Sequence, residues 1–402
     1  MTRSIWHNTF KGRRQWPAAV VAASVAMMAG AAVIAGAVTA GEAPKYTGKV
    51  YVAGHGGHVA EVAVTIDPAN AQAPLAVKTL MQDGAKLTVS MKKHANGSSQ
   101  YKLHDVRVDG DTMYWSTYNT DVDGNLHYGA VDLADGNKVT ADIAVPVDPR
   151  ATRPGTKPDA MPYYCASGQT EDYFMPMTMS NEAYITVIDK KNLEKSFNVF
   201  LDSVLPDANY KFLHGAADPT GRKFLAVVNL SDVPQGRITG EHLMIMLDAR
   251  ALEQGRLVKL GEGLLFGDGS GPFGASITFR SAWSADGSKI LMSGGDRVWV
   301  IDANDPDLQA LNGVEGDVNI GGQSHDMLPT SDGRYALITV RTKPYSDPGD
   351  ADKMDGALQV YDVVNGRAIG EPVSVCNACH KQAMGANLNA ILCGLDGRVT
   401  PM

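Results

Sequence analysis

The fold is decided by a pattern that is clearest in Ser281–Met292, which reads SAWSADGSKILM. Two short apolar runs flank the turn signal Asp286-Gly287, an arrangement typical of a β-hairpin. A third apolar run, Val298-Trp299-Val300-Ile301, ends at Asp302. This stretch therefore predicts three consecutive short strands joined by tight turns.

The same pattern recurs along the chain. Six short apolar strands end at an aspartate, and successive aspartates lie 54 to 65 residues apart. They are Asp67, Asp132, Asp189, Asp248, Asp302 and Asp362. A period of roughly 40 to 60 residues made of four short strands is typical of a propeller blade. We therefore predict an all-β protein, a β-propeller of six to eight four-stranded blades. Seven are preferred because Lys138 to Ser180 could hold one more, and a pair of β-sandwiches is the alternative.

Composition agrees with this class. The 402-residue chain is 44% hydrophobic and 20% charged, so it can bury a large core, and its 42 glycines and 20 prolines suit a fold rich in turns. The net charge of −8 argues against nucleic acid as a partner, because phosphate binding requires a basic surface. Two of the four cysteines, Cys165 and Cys393, could pair in an oxidising compartment, but the sequence does not establish that they meet.

The N-terminus has the pattern of an export signal. Arg13 and Arg14 precede an uncharged run from Trp16 to Ala40 that is rich in alanine, valine and glycine. We predict that residues 1–40 are removed and that the mature protein is periplasmic or secreted. An uncleaved anchor is the alternative, and only then do we expect contact with a membrane. Ordinary secretion is preferred to the twin-arginine route because the residues around Arg13 fit that motif poorly.

The most specific motif is Cys376-Asn377-Ala378-Cys379-His380. The pattern C-x-x-C-H attaches a c-type haem, because each thiol can form a thioether with one vinyl group of the same porphyrin. His380 is then the proximal ligand of the iron. A zinc site would need further ligands, and a thioredoxin-like pair would need a βαβ context; the sequence offers neither. We predict one covalent haem c and a redox partner protein.

The blade pattern resembles that of the YVTN-type propellers, the superfamily that includes the haem d1 domain of cytochrome cd1 nitrite reductase. Lys49–Ala53 and His325–Val340 carry this resemblance, which covers nearly all of the mature chain and implies a fold more than an activity. Cys376–His380 resembles cytochrome c attachment sites, yet only 22 residues follow it, too few for a separate cytochrome domain. The haem is therefore expected to pack on the propeller.

These observations divide the chain into three parts: an export signal at 1–40, a propeller at 41–370 and a C-terminal haem c attachment segment at 371–402. The N-terminal strand around Lys49 is expected to complete the final blade and close the ring.

A second axial ligand of the iron would be a methionine or a histidine. Met175 and Met177 alternate on a predicted strand, so they share one face, and the alternative is that they fill the core. The histidine candidates lie near strand starts that should line the channel: His55, His58, His104, His214 and His325. Together they could bind the haem iron, a second metal or an anion. The alternative is that they are hydrogen-bonded structural residues.

Three functions remain open. The first is an exported monohaem c-type cytochrome that transfers electrons to or from a partner, with the propeller as its scaffold. The second is a periplasmic oxidoreductase in which the haem serves a His-lined substrate or metal site at the channel. The third is a binding propeller without enzymatic activity. The sequence indicates neither the catalytic residues nor the oligomeric state.

Overall fold

Six four-stranded antiparallel sheets form the part of the chain that the structure describes. This computed structural model describes residues 44–54, 59–81, 103–118, 120–121, 123–151, 163–179, 182–205, 209–233, 236–267, 277–295, 297–318, 320, 323–341, 357–375 and 392–402. All of them belong to one unit, Glu42–Met402. Each sheet is one blade, and its strands follow one another in sequence from the innermost to the outermost, except in the first blade.

The strands of the first three blades are as follows. The first blade holds β1 (Tyr46–Gly54), β2 (Val59–Ile66), β3 (Leu75–Met81) and the last strand of the chain, β24 (Leu392–Pro401). The second holds β4 (Leu103–Asp109), β5 (Thr112–Thr117), β6 (Asn125–Asp132) and β7 (Lys138–Pro146). The third holds β8 (Tyr163–Gln169), β9 (Tyr173–Met179), β10 (Tyr184–Asp189) and β11 (Ser196–Phe200).

The remaining blades continue in the same order. The fourth holds β12 (Tyr210–Ala217), β13 (Lys223–Ser231), β14 (Ile238–Asp248) and β15 (Lys259–Phe266). The fifth holds β16 (Thr278–Trp283), β17 (Lys289–Gly294), β18 (Arg297–Asp302) and β19 (Asp317–Val318). The sixth holds β20 (Gln323–Pro329), β21 (Tyr335–Arg341), β22 (Ala357–Asp362) and β23 (Arg367–Ser374). Helix is limited to α1 (Ala249–Leu252) and a 3₁₀ turn at Pro149–Ala151 within the described residues.

The all-β propeller is confirmed, and the blade number is six. The preferred number of seven was wrong because Lys138 to Ser180 does not form a blade of its own. This stretch supplies β7 to the second blade and β8 and β9 to the third. Within the described ranges, no helix is long and apolar enough to cross a membrane.

The repeated aspartates have a common structural role. Each ends the third strand of its blade, counted from the channel, or directly follows it, as Asp67 does. Its Oδ1 accepts a hydrogen bond of 2.8 to 3.3 Å from a backbone N–H two or three residues further on. Such a contact replaces a ladder hydrogen bond and turns the chain back. The repeat in the sequence is therefore a repeat of strand ends.

The two ends of the chain close the ring together. β24 pairs antiparallel with β1, so Val52 lies opposite Leu395, and β24 becomes the innermost strand of the first blade. The N-terminal strand thus helps to close the ring, as predicted, but it does so as the second strand of the first blade. The described parts of segment 371–402 are mostly blade strands, β23 up to Ser374 and then β24.

Hydrophobic clusters lie between neighbouring blades. Each of the six blade pairs around the ring shares one, including the first and sixth blades, where the ring closes. Trp115 is buried between the first and second blades and Trp299 between the fourth and fifth. Because a single blade leaves both faces apolar, burial between neighbours holds the ring together.

Candidate functional site

The innermost strands β24, β4, β8, β12, β16 and β20 contact one another in a ring around a central channel. We call the side where these strands begin the start side. The side where they turn back into the second strand of their blades is the turn side. Because all six strands run in the same direction around the axis, residues at matching positions lie at the same depth.

A cavity of about 460 Å³ lies on the turn side of the channel. All six innermost strands contribute to it, through Arg107, Gln169, Ala217, Ser281, Asp326 and Asp396 among others. Its volume falls in the range of about 300–1,000 Å³ that is usual for small-molecule sites. We call it the turn-side pocket.

A buried ion pair crosses the channel next to this pocket. Asp105 of the second blade and Arg280 of the fifth are 0% and 1% exposed, and Oδ1 and Nη1 lie 2.9 Å apart. The second and fifth blades are opposite one another in a ring of six, so the guanidinium reaches across the axis. Nη1 of Arg107 lies 3.0 Å from the same carboxylate oxygen, and Ser167 Oγ donates to Asp105 Oδ2 at 2.5 Å. One carboxylate is therefore shared by two guanidinium groups, and the three side chains lie between the start side and the turn-side pocket.

Asp326 is a buried carboxyl that lines the pocket. Its Oδ1 accepts from the backbone N–H of Met327 and its Oδ2 from that of Leu395, both at 2.8 Å. Burial raises the pKa of this carboxyl to about 7, and the charge of Asp105 adds to the rise while Arg280 and Arg107 oppose it. A carboxyl of this kind can give up or accept a proton at ordinary pH.

Asp396 is a second buried carboxyl beside the pocket. Its Oδ2 accepts from the backbone N–H of Val108 at 2.7 Å, and burial raises its pKa. Asp326 binds β24 from the sixth blade, whereas Asp396 fastens β24 to the second blade. The carboxyls that line the pocket therefore also hold the strand that closes the ring.

The rim of the pocket is held by its own ion pair. Lys190 Nζ lies 2.7 Å from Asp109 Oδ2 and donates to the carbonyl of Thr170 at 2.7 Å. Its side chain is only 6% exposed, and burial lowers its pKa. Asp218, also at the rim, accepts from the backbone N–H groups of Arg222 and Lys223. These contacts fix the rim, and Arg107, with 12% of its side chain exposed, is the more exposed of the two cations that line the cavity.

The start side of the channel is built differently. The ring of His325 stacks on that of Phe279 with 4.7 Å between centroids, and Phe279 also packs against Cys165. His214 is fully buried, and burial, with help from Arg280 and His242, holds its pKa well below the usual value. The imidazole ring of His214 is therefore neutral.

The innermost strands share a break in register on this side. A shift relative to the second strand of the blade occurs in all six of them: at His104, Cys165, Lys211, Phe279 and Cys393, and between Ser324 and Met327. Such β-bulges re-aim side chains and are frequent near functional sites. The prediction that His104, His214 and His325 lie on channel strands is confirmed. The side chain of His104 and all of His55 and His58 lie outside the described residues.

No group of three His, Cys, Asp or Glu side chains is close enough to hold a metal ion within the described ranges. A second metal at the channel histidines stays a prediction, because three of the five candidates are not described. Cys376, Cys379 and His380 also lie outside the described residues, so haem attachment stays a prediction too. The flanking residues Ser374, which ends β23, and Leu392, which starts β24, both lie on the start side.

The methionine candidates lie in the hydrophobic core. Met175 and Met177 are both 0% exposed and pack in the cluster between the third and fourth blades, with Ile185 and Phe224. Both methionines therefore fill the core, which is the alternative that the sequence left open for them. Cys165 is likewise buried, and the side chain of Cys393, with which it could pair, lies outside the described residues.

Sequence reasoning missed the residues that build the pocket. His104 and His325 drew attention, yet the aspartates that follow them, Asp105 and Asp326, carry the charges of the channel. The available signal was an ionisable residue in the interior of a predicted innermost strand. Arg280 carries the same signal between Phe279 and Ser281.

No family model and no curated protein matches the chain. Among solved structures, it is similar to a protein of unknown function from Bacteroides caccae, with 13% identity, a TM-score of 0.45 and coverage of 89% of this chain and 99% of the other. A periplasmic gluconolactonase from Pseudomonas aeruginosa has 10% identity, a TM-score of 0.45 and coverage of 88% and 99%. A putative 6-phosphogluconolactonase from Bacteroides uniformis has 12% identity, a TM-score of 0.44 and coverage of 82% and 98%. These similarities concern the propeller fold alone.

Proposed function

We propose that this chain is an exported oxidoreductase. A small polar substrate binds in the turn-side pocket, and Cys376, Cys379 and His380 would hold a c-type haem that would supply the redox chemistry. The observation that carries the substrate half is the pocket itself, where all six innermost strands place side chains around Asp326.

Asp326 suits proton-coupled chemistry. Oxidation or reduction of an organic molecule usually moves protons together with electrons, and a general acid or base works best when its pKa lies near the operating pH. The pKa of about 7 for this carboxyl meets that condition. The buried pair of Asp105 and Arg280 supplies a fixed polar environment beside it.

The haem half of the proposal rests on the C-x-x-C-H motif together with the export signal. When bound, the haem supplies one-electron redox chemistry. Met175 and Met177 lie in the core, which leaves histidines as the better candidates for the distal position. The export and periplasmic location belong to the same proposal, since c-type haem is expected to be attached outside the cytoplasm.

The substrate half is tested by reduction of the oxidised haem with a panel of small polar compounds, followed by visible absorption without oxygen. We expect one class of compound to reduce the haem and Asp326→Asn to slow that reduction at least tenfold. Asp172→Asn, a surface change near the turn side, serves as the control. Equal rates in both variants, with folding intact, would remove Asp326 from the chemistry.

Electron transfer by a monohaem cytochrome without its own substrate is the second candidate, and the motif alone favours it. It shares the haem test: the exported protein keeps a c-type spectrum after denaturation, Cys379→Ser abolishes it and Cys165→Ala retains it. Carbon monoxide separates the candidates. Rapid binding to the reduced protein indicates an open iron site and favours the oxidoreductase, whereas no binding favours the electron carrier.

A further inference from the structure

Two buried polar atoms in the turn-side pocket lack a hydrogen-bond partner in the described part of the chain. They are Oγ of Ser281, a residue that is 4% exposed, and Oε1 of Gln169. The amide nitrogen of Gln169 is already used, since Nε2 donates to the carbonyl of Val108 at 2.9 Å. A buried polar atom without a partner costs about 1–3 kcal/mol, so both atoms are placed to bind something that enters the pocket.

Arg107 provides a third binding group. Its Nε donates to the carbonyl of Ser167 and its Nη1 to that of Val106, both at 2.8 Å, and these contacts hold the guanidinium in place. The side chain is 12% exposed and lines the cavity, so Nη2 is left to face it. A fixed guanidinium with free N–H groups is suited to a carboxylate.

The three groups differ in what they require. Arg107 offers hydrogen-bond donors and a positive charge, Gln169 Oε1 can only accept, and Ser281 Oγ can do both. Arg107 and Gln169 lie on adjacent strands of the second and third blades, whereas Ser281 lies on the fifth blade, on the far wall. A ligand that satisfies all three must carry an acceptor for Arg107 and a donor for Gln169, and it must span the channel; a carboxylate and hydroxyl groups meet these requirements.

We propose that the turn-side pocket binds a small hydroxylated carboxylic acid. Its carboxylate pairs with Arg107, and its hydroxyl groups donate to Gln169 Oε1 and exchange a hydrogen bond with Ser281 Oγ. This inference rests on the proposed function, because it names the substrate class of the same site. A protonated Asp326 leaves room for the anion and can donate to it, whereas an ionised Asp326 would repel it.

The experiment is calorimetric titration of the haem-loaded full protein with matched probes. D-gluconate carries a carboxylate and several hydroxyl groups, and L-lactate carries a carboxylate and one hydroxyl group. D-glucose has the hydroxyl groups without the carboxylate, and propionate has the carboxylate without a hydroxyl. We expect binding of at least one hydroxy acid, at least tenfold tighter than its matched partner. Binding of glucose or propionate with equal affinity, or binding of none of the four, would overturn the proposal.

Ser281→Ala is the sharpest variant, because it removes a hydroxyl that has no partner and should not lower folding stability. We expect it to weaken hydroxy-acid binding at least fivefold. Ser288→Ala is the matched control, since Ser288 lies in the next turn of the same blade and outside the pocket lining. Unchanged affinity in Ser281→Ala contradicts the assigned contact, and Gln169→Met provides an independent second variant.

The outcomes separate this inference from the proposed function. If another polar compound reduces the haem through Asp326 while hydroxy acids fail to bind, the substrate class is wrong and the oxidoreductase stands. If hydroxy acids bind as expected but no compound reduces the haem, the site is correct and the oxidoreductase fails.

Discussion

The two sides of the channel are built by the same six strands, yet they differ in chemistry. On the start side, Phe279 and His325 stack as buried rings beside Cys165. On the turn side, a cavity of about 460 Å³ is lined by charged and hydroxyl groups. A step of one residue, from Phe279 to Arg280 or from His325 to Asp326, separates the two environments. Because neighbouring residues of a strand point to opposite faces, one step can exchange apolar packing for a charge.

This difference indicates that the two ends of the channel have different roles. The start side carries the strand ends that flank the C-x-x-C-H motif, and the turn side carries the polar pocket. The ion pair of Asp105 with Arg280 lies between them. Removal of that pair is therefore the most direct test of whether a buried charge lies between the two sides.

Asp105→Ala should have the largest effect. It leaves the guanidinium groups of Arg107 and Arg280 buried without their shared carboxylate, and removal of one partner from a buried ion pair typically costs about 3–5 kcal/mol. Urea or thermal unfolding measures this loss. Asp172→Ala is the control, since its ion pair with Lys191 is exposed and should contribute little to stability. Equal losses in the two variants would mean that the two sides of the channel are not separated by a buried charge.

Asp326→Asn should change how stability depends on pH. The folded protein holds the proton of this carboxyl up to about pH 7, whereas the unfolded chain releases it near 3.8. The folded state therefore binds more protons between these values, and this group makes the protein less stable as the pH rises through that window. Thermal unfolding at several pH values should show a shallower decline in the variant.

Asp286 offers a control, because its effect on how stability depends on pH has the opposite sign. Hydrogen bonds from Ser284 and Ser288 lower its pKa from 3.8 to about 2, so its stabilising effect is present above 3.8 and is lost as the pH falls through about 2. Asp286→Asn should therefore leave the decline between 3.8 and 7 intact. A decline that persists unchanged in Asp326→Asn would show that another group controls it, and Asp396 would be the next to replace.

The contrast also separates what the sequence can predict from what it cannot. Local signals, such as an apolar run that ends at Asp302 or a turn at Asp286-Gly287, predicted strands and blades because they depend on neighbours in the chain. The blade number was harder, since β7 and β8 lie close in sequence but belong to different sheets. Histidines on innermost strands were found from their position in the repeat.

The pocket could not be found in this way. Asp105 and Arg280 meet because the second and fifth blades are opposite in a ring of six, so their contact depends on the blade number itself. In a ring of seven, no two blades face each other directly. Ser281 and Gln169 gave no signal in the sequence, because only the closed ring shows that their polar atoms are buried without partners.

Met177→Leu should have the smallest effect, and it tests whether a methionine near the start side binds the haem iron. Met177 is 0% exposed between the third and fourth blades, and exchange of methionine for leucine of similar volume usually costs less than about 1.5 kcal/mol. We expect a small loss of unfolding free energy and no change in the visible spectrum of the reduced haem protein, because a thioether in the core cannot reach an iron. Met175→Leu, at a second site in the same cluster, should behave alike. A shifted spectrum in either variant, with the other unchanged, would identify that sulfur as an iron ligand and would require this core to open on haem binding.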